Sequence, residues 1–300
     1  MAALQKAMSG LQVITGKTKI VGVWGHPVGH SRSPVMHNAA LAALGLDWAY
    51  VPFDVRPDDV GAALAGVRAL GLVGVNVTVS LKEIVPPFLD TVSEEARRIG
   101  SVNTVHNRDG ALHGESTDGP GFLRALADLM GPDAVPGRAL LLGAGGSARA
   151  VAFALAGQGW TVVIANRTRA RAQELADRLA VFYPCAATVA EWGGDAGEFE
   201  LIVNTTSLGM HPHEDTMPAL PPGALTPGRW VLDLVYAPPE TRLLREARRA
   251  GCQAANGLGM LVSQGALSLA LWTGLPLERI PRDVMAEALG GTASAQKPVQ

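Results

Sequence analysis

Lys82 stands apart from every other base in the chain. Of 25 basic residues, five are lysines, and the other four lie near the ends, at positions 6, 17, 19 and 297. Everywhere between Lys19 and Lys297 positive charge is made with arginine, yet position 82 keeps an amine. It closes the apolar run Gly74-Val75-Asn76-Val77-Thr78-Val79-Ser80-Leu81-Lys82-Glu83. On composition alone a single lysine is an ordinary surface residue. The chemical reading is sharper: a partly buried lysine can release its proton, whereas an arginine effectively cannot. A site that must take and return a proton would keep the amine.

A second stretch carries different chemistry. Gly143-Ala144-Gly145-Gly146-Ser147-Ala148 fits the pattern G-x-G-x-x-A, directly after the apolar run 139–142 and at the opening of a helical pattern. That context predicts a dinucleotide site. Glycines 143 and 145 allow a tight turn and close approach of a pyrophosphate, whose charge the helix N-terminus favours. Ala148 still permits close helix–strand packing. A bare strand–helix turn with no ligand would use similar residues, and the context weighs against it. About 20 residues beyond the glycines, a carboxylate usually holds the ribose of a cofactor without a 2′-phosphate. Here the chain has Asn166-Arg167-Thr168, followed by Arg169 and Arg171. Guanidinium groups without a carboxylate argue for NADP over NAD, unless these arginines are merely solvated.

Polar groups also gather where strands are expected to end. Ser31-Arg32-Ser33 precedes a helix, where two hydroxyls and free N–H groups suit a small carboxylate; Ser33 as a simple cap is the plainer reading. Asn76, Thr78 and Lys82 follow the third strand. Ser101-Val102-Asn103-Thr104 and Ser116-Thr117-Asp118-Gly119 form two further clusters. Each alone is an ordinary turn. Together they feed one crevice beyond the carboxyl ends of strands, where open α/β sheets bind ligands. The close histidine pair, His211 and His213, lies in a Pro-rich loop and reads as solvated, so no metal site is expected; His26 and His30 lie near the serine loop.

The elements that must position these groups follow from periodicity. KIVGVWG (19–25), WAYVPFDV and LVGVNVTVS read as strands, with helices over SPVMHNAALAALG (33–45) and DDVGAALAGVRALG between them. Ser33 suits the N-cap, Pro34 the first helical position and Gly45 the end. Residues 138–180 read as strand, glycine turn, helix, strand, arginine-rich turn and helix. LIVNTTSLG (201–209) and WVLDLVY (230–236) add strands, and residues 257–274 form a long apolar helix. Alternation of this kind predicts a two-domain α/β fold with mostly parallel sheets.

With 300 residues, 48% hydrophobic and 17% charged, and a net charge of -2, nothing points to nucleic acid or an anionic membrane. Apolar runs are too short to span a bilayer, and two cysteines make no disulfide framework. The expectation is a soluble, cytoplasmic protein. Oligomeric state is not readable from the residues; a homodimer is one option.

Nine blocks occur in an order that resembles the shikimate dehydrogenase family: GHPVGHSRSPVMHN, NVTVSLK, GSVNTV, ESTDGPGF, LLGAGGSARA, ANRTRARA, VNTTSLGM, DLVYAPPETRLL and GLGMLVSQGA. The resemblance covers about residues 19–274. It implies an open, mostly parallel substrate domain and a Rossmann-type NADP domain with the active site between them. It also implies NADPH-dependent reduction of 3-dehydroshikimate to shikimate, on the route to chorismate and the aromatic amino acids. By position it makes Lys82 and Asp118 the catalytic pair, Ser31 and Ser33 the holders of the substrate carboxylate, and Thr78, Asn103, Asp118 and Gln264 the ring-hydroxyl ligands, with Tyr236 nearby. Thr205 would join the cofactor site, with Gly257 and Met260 beside the nicotinamide. Desolvation would lower the pKa of Lys82 while the carboxylate of Asp118 pulls it the other way. The substrate domain would comprise 1–118 plus 254–300, and the NADP domain 119–253, hinged at two crossings. Three positions depart from the family pattern: Ser80 for proline, Ser116 for asparagine and Leu269 for phenylalanine. Other readings are a quinate or aminoshikimate dehydrogenase, or an NADP-binding regulatory protein, which would have lost the acid–base pair.

Overall fold

The computed structural model describes residues 14–131 and 134–291. The first half holds β1 (Lys19–Gly25), α1 (Ser33–Ala43), β2 (Trp48–Asp54), α2 (Val60–Ala69), β3 (Gly74–Val77), β4 (Thr91–Val92), α3 (Glu94–Ile99), β5 (Thr104–Arg108) and β6 (Ala111–Glu115). These strands form one sheet in the order β2-β1-β3-β5-β6-β4. β2, β1 and β3 run parallel, and β5 is antiparallel to both β3 and β6. Then come α4 (Asp118–Met130), β7 (Arg138–Leu142), α5 (Gly146–Gly157), β8 (Thr161–Ala165), α6 (Arg169–Phe182), β9 (Ala187–Ala190), β10 (Leu201–Asn204), β11 (Trp230–Asp233), α7 (Arg242–Arg249) and β12 (Gln253–Asn256). The second sheet is parallel throughout, ordered β12-β11-β10-β7-β8-β9. That is the doubly wound dinucleotide order, with its switch point between β7 and β10. Finally α8 (Leu258–Thr273) and α9 (Arg282–Ala288) return to the first lobe.

Parallel strands covered on both faces are apolar at every position. In β7, Leu141 enters one core with α5 and α6, while Leu140 and Leu142 enter the other with α7. In the first sheet, Val21 and Val23 of β1 face a core closed by α1, α8 and α9; Trp24 faces the one under α2. The α/β expectation holds. Two local differences have physical causes. The third strand stops at Val77, because the chain turns there, with Leu81 N–H bonded to the Thr78 carbonyl at 3.1 Å. Ser33 is the first helical residue instead of the N-cap; Arg32 occupies the cap without a side-chain bond, and Gly45 ends the turn beyond the helix at φ 65°.

Two packing features carry predictions. A Cβ on Gly74 would lie 2.3 Å from both the Val105 carbonyl and Trp272 Nε1. Those two atoms are themselves hydrogen-bonded at 3.0 Å, tying α8 to β5. Gly74→Ala is therefore expected to cost about 2–3 kcal/mol, as overpacking of a close-packed core does, measured as a lowered urea midpoint.

His37 of α1 is fully buried, its ring stacked on Tyr50 with centroids 4.1 Å apart. Neither ring nitrogen has a hydrogen-bond partner among the described residues. Burial lowers its pKa from 6.5 to about 3. The folded protein thus keeps it neutral, while the unfolded chain binds a proton below pH 6.5. Its stability term is intact above that pH and is lost as pH falls from 6.5 toward 3, at about 1.4 kcal/mol per unit. Urea unfolding at pH 5 should show roughly 2 kcal/mol less stability from this group than at pH 7. His37→Phe, which keeps a stacked ring and removes the titration, should abolish that difference.

Candidate active site

Lys82 sits in the turn after β3 and Asp118 opens α4, 36 residues later. Lys82 Nζ donates to Asp118 Oδ2 at 2.5 Å, and both side chains are largely buried, at 12% and 4% exposed. Asp118 gains from its place in the first helical turn, where the dipole favours a carboxylate. Its other oxygen accepts from Asn103 Nδ2 at 2.9 Å, which fixes the carboxylate plane. The same Asn103 amide reaches Gln264 Oε1 at 3.2 Å and Thr117 Oγ1 at 2.8 Å. Four of the expected residues, Lys82, Asp118, Asn103 and Gln264, therefore form one hydrogen-bonded group drawn from four separate segments.

In the turn before Asp118 the Thr117 N–H donates to Asn103 Oδ1 at 2.7 Å; Ser116, where the family has asparagine, is buried. Leu269 is fully buried in the core shared by β1, α1 and α8. Ser80, where the family has proline, has φ 69°, a left-handed conformation closed to proline.

Thr78 lies beside the end of β1, its N–H bonded to the Trp24 carbonyl at 2.8 Å and its methyl 2.6 Å from where a Cβ on Gly25 would fall. Ser31 Oγ accepts the Ser33 N–H at 3.3 Å, and Ser33 is buried. The Ser33 hydroxyl lies near the Tyr50 phenol, whose pKa burial pushes well above 10 while Ser33 opposes the shift. Tyr236, after β11 of the second lobe, comes near Arg32; burial raises its pKa, and the Arg32 backbone N–H and charge oppose the shift. The two serines and Tyr236 thus share one corner.

On the second lobe, Gly143 at φ 114° makes the first turn, where a Cβ would fall 2.4 Å from Thr205 Oγ1. Thr205 Oγ1 donates to the Leu142 carbonyl at 2.7 Å, closing the switch point between β7 and β10. Gly145 is the helix cap, and no atom lies within 4 Å of where its Cβ would be, leaving room for a pyrophosphate against the free N–H groups of α5. Ala144 and Ala148 are buried against the sheet. Ser147 Oγ lies 3.4 Å from Lys82 Nζ, so the glycine turn and the lysine meet at the seam. Asn166 stabilises its own turn through the Thr168 carbonyl at 2.9 Å, Arg167 is exposed, and Thr168 caps α6. Arg169 pairs with Glu191, while Arg171 approaches Glu83 at 3.9 Å. Gly257 caps α8 against the Leu234 carbonyl, and Met260 is buried one turn on. The residues present fit a 2′-phosphorylated dinucleotide: a glycine cradle with open space, and arginines with no carboxylate at the end of β8.

Sequence reasoning missed the supports behind this face. Asn76 stands out in the sequence only as a polar group at a strand end. It is buried, accepts from Tyr50 Oη at 2.8 Å and donates to Ser268 Oγ at 2.9 Å. Asp233 is also buried, accepting from Thr241 Oγ1 at 2.6 Å and Asn204 Nδ2 at 2.8 Å; burial pushes its carboxyl up and these bonds pull it back. It anchors the loop that presents Tyr236. The Asn76 role has no local signal, since its partners lie 26 to 192 residues away, and for Asp233 the Asn204 partner lies 29 residues away.

Comparison with known proteins agrees with this geometry. Residues 23–105 match the shikimate dehydrogenase substrate binding domain, 126–210 the shikimate / quinate 5-dehydrogenase domain and 257–289 the shikimate 5′-dehydrogenase C-terminal domain. A shikimate dehydrogenase (NADP(+)) from Moorella thermoacetica is 50% identical over 295 residues, covering 94% of this chain and 99% of the relative. One from Geobacter metallireducens is 48% identical over 269 residues, covering 87% and 93%. The structure of shikimate 5-dehydrogenase from Thermus thermophilus with NADP(H) and shikimate is 41% identical, covers 90% of this chain and 100% of its own, and superposes with a TM-score of 0.80. By sequence and fold, this chain belongs to the shikimate dehydrogenase family.

Proposed function

We propose that the protein reversibly reduces 3-dehydroshikimate to shikimate with NADPH, with Lys82 as the proton-transfer group. The observation that carries this reading is the Lys82–Asp118 pair, buried at 2.5 Å beside the glycine turn. Gly143–Ala148 would hold the cofactor's pyrophosphate and Arg167 and Arg171 its 2′-phosphate; bound there, NADPH would supply the hydride in reduction and NADP+ would accept it in oxidation. Ser31, Ser33 and Tyr236 hold the substrate carboxylate. Thr78, Asn103, Asp118 and Gln264 bind ring hydroxyls and fix which carbon faces the cofactor. In reduction, the Lys82 ammonium gives a proton to the carbonyl oxygen as that oxygen gains charge. In oxidation, the amine takes the hydroxyl proton as the hydride leaves. Asp118 keeps the amine on target and balances its charge. Gly257 and Met260 would border the nicotinamide.

The lobes divide, in this reading, into a substrate domain from the N-terminal segment to residue 117 plus the C-terminal helices, and an NADP domain between them. The pairing of β12 with β11 supports counting residues through Asn256 with the NADP domain, a few residues beyond the 253/254 division. Steady-state oxidation of shikimate and of quinate, each with NADP and with NAD, tests the proposal. Turnover concentrated in shikimate plus NADP is the expected result. Turnover favouring quinate would refute the pocket assignment, and turnover favouring NAD the arginine assignment.

A further inference from the structure

Beside Lys82 the chain carries a charged contact that the reaction itself does not use. Arg149 lies in α5 just past the glycine turn, and its side chain is only 7% exposed. It holds two carboxylates, one from each lobe. Glu174 of α6 is 2.7 Å from Nη2, and Glu83 of the first lobe is 3.4 Å from Nε. Arg171 approaches the other oxygen of Glu83 at 3.9 Å. A carboxylate adjacent in sequence to Lys82 is thereby gripped by cations from two helices of the opposite lobe.

The turn bearing Lys82 belongs to no ladder. Its backbone is pinned to the first lobe where the Lys82 carbonyl accepts the Val102 N–H at 2.9 Å. Toward the second lobe, by contrast, its position depends on side chains. The Lys82–Ser147 contact, at 3.4 Å, is at the limit of a hydrogen bond. The stem of Lys82 packs on Gly146, where a Cβ would fall 3.2 Å from Lys82 Cβ. Glu83–Arg149, at 3.4 Å, is the shorter of the two charged contacts that Glu83 makes across this point of the seam. A buried guanidinium needs its charge balanced, and Nε of Arg149 makes no hydrogen bond among the described residues, so on that side Glu83 at 3.4 Å acts as an ion-pair partner. Glu174, 63% exposed, is bound through Nη2 and does not reach Nε.

We propose that Glu83 is a positioning residue: its ion pair with Arg149 draws the Lys82 turn against the glycine-rich helix and sets the amine's distance from the substrate carbon facing the cofactor. The proposal rests on Lys82 being the proton-transfer group. Loss of the Glu83 charge leaves the amine, Asp118 and the cofactor cradle in place while slackening the seam. Misplacement on that scale lowers the chemical step more than it lowers binding.

The test uses full-length Glu83→Gln, Glu83→Asp, Arg149→Met and the Gln/Met double variant, with Lys82→Met in the same series. Glu83→Gln should lower kcat about tenfold, with KM for shikimate changed by no more than about twofold. It should also raise the primary isotope effect on shikimate deuterated at the oxidised carbon. Glu83→Asp should recover part of the loss, and the double variant should be no slower than the worse single one. Wild-type kcat and isotope effect in Glu83→Gln would overturn the proposal, as would losses that multiply in the double variant. If Arg149→Met does not fold, the Gln and Asp variants with the isotope effect decide alone. An active Lys82→Met would instead overturn the reading of the site on which the proposal stands.

Discussion

Lys82→Arg is expected to lower kcat for shikimate oxidation by about a thousandfold, with NADP binding unchanged. The substitution keeps a positive charge beside Asp118, so the carboxylate stays paired and the fold stays stable. What it removes is the ability to take a proton at working pH, because a guanidinium holds its own. Space adds to the effect. The lysine side chain is 12% exposed and its stem lies over Gly146, so closely that an added Cβ there would fall 3.2 Å from Lys82 Cβ, and a planar, wider head must displace the substrate or the turn. Lys82→Met separates the two causes. It removes charge and proton together and leaves a buried carboxylate with Asn103 as its remaining partner. Such an unpaired group costs about 3 kcal/mol or more, visible in urea unfolding, where the Arg variant should stay near wild type. Steady-state rates of the two variants check the assignment. An Arg variant with more than about a tenth of wild-type kcat would show that Lys82 acts by charge alone.

The second large effect comes from a residue that touches no ligand. Ser80→Pro puts the family's usual residue into this chain, and it should lower activity about a hundredfold. Proline fixes φ near -65°, whereas Ser80 has φ 69°. The peptide two residues before Lys82 cannot hold its present path, and the turn must rebuild from Thr78 onward. Leu81 resists that rebuilding, being fully buried with Val85 under α2. Strain or a displaced lysine follows, and either separates Nζ from Asp118. Ser80→Gly serves as the counterpart. It relieves a left-handed conformation that costs a residue with a Cβ about 1 kcal/mol, and should keep full activity with a slightly raised unfolding midpoint. Shikimate oxidation rates and urea midpoints of both variants check this. Full activity in the proline variant would show that the turn tolerates both conformations.

The parts of this molecule legible in its sequence are those whose causes are local. β1 is legible to the residue, because an unbroken apolar run between a lysine and a glycine has no other use. Pro34 and Gly45 place the helix at residue 33. The glycine turn declares itself through the strand before it and the helix after it. The antiparallel hairpin of β5 and β6 is not among the expected elements, although its turn is present: Asp109 and Gly110, at φ 52° and 90°, are the residues a two-residue hairpin loop demands. The flanking segments TVHNR and ALHGE are too polar to announce strands, and a fold expected to alternate strands with helices leaves no place for them.

The site is legible only in part, for the same reason. Ser31, Thr78, Lys82 and Asp118 carry chemistry in their types. Their supports do not. Asn76 looks like a ligand-facing amide, yet its side chain is engaged inward with Tyr50, Thr104 and Ser268. The Ser268 link spans 192 residues, and no periodicity reports a hydrogen bond of that separation. Glu83 and Arg149 likewise read as ordinary charges until the fold brings them together.

The return of α8 and α9 to the first sheet has a consequence for how the chain is made. Val21, Val23, Met36, Leu41, Trp48 and Tyr50 share a core with Val262, Leu269, Trp272, Ile280, Met285 and Leu289. A ribosome releases the first group long before it has made the second, and the whole second sheet emerges in between. One face of β1 and β2, covered in part by α1, therefore waits for the rest of its cover through most of synthesis, the kind of exposed apolar surface that recruits chaperones. Nascent chains arrested after residue 256 are expected to show a protease-resistant second lobe beside a cleavable first one. Adding the last helices in trans, as a peptide spanning 257–291, should restore resistance to both.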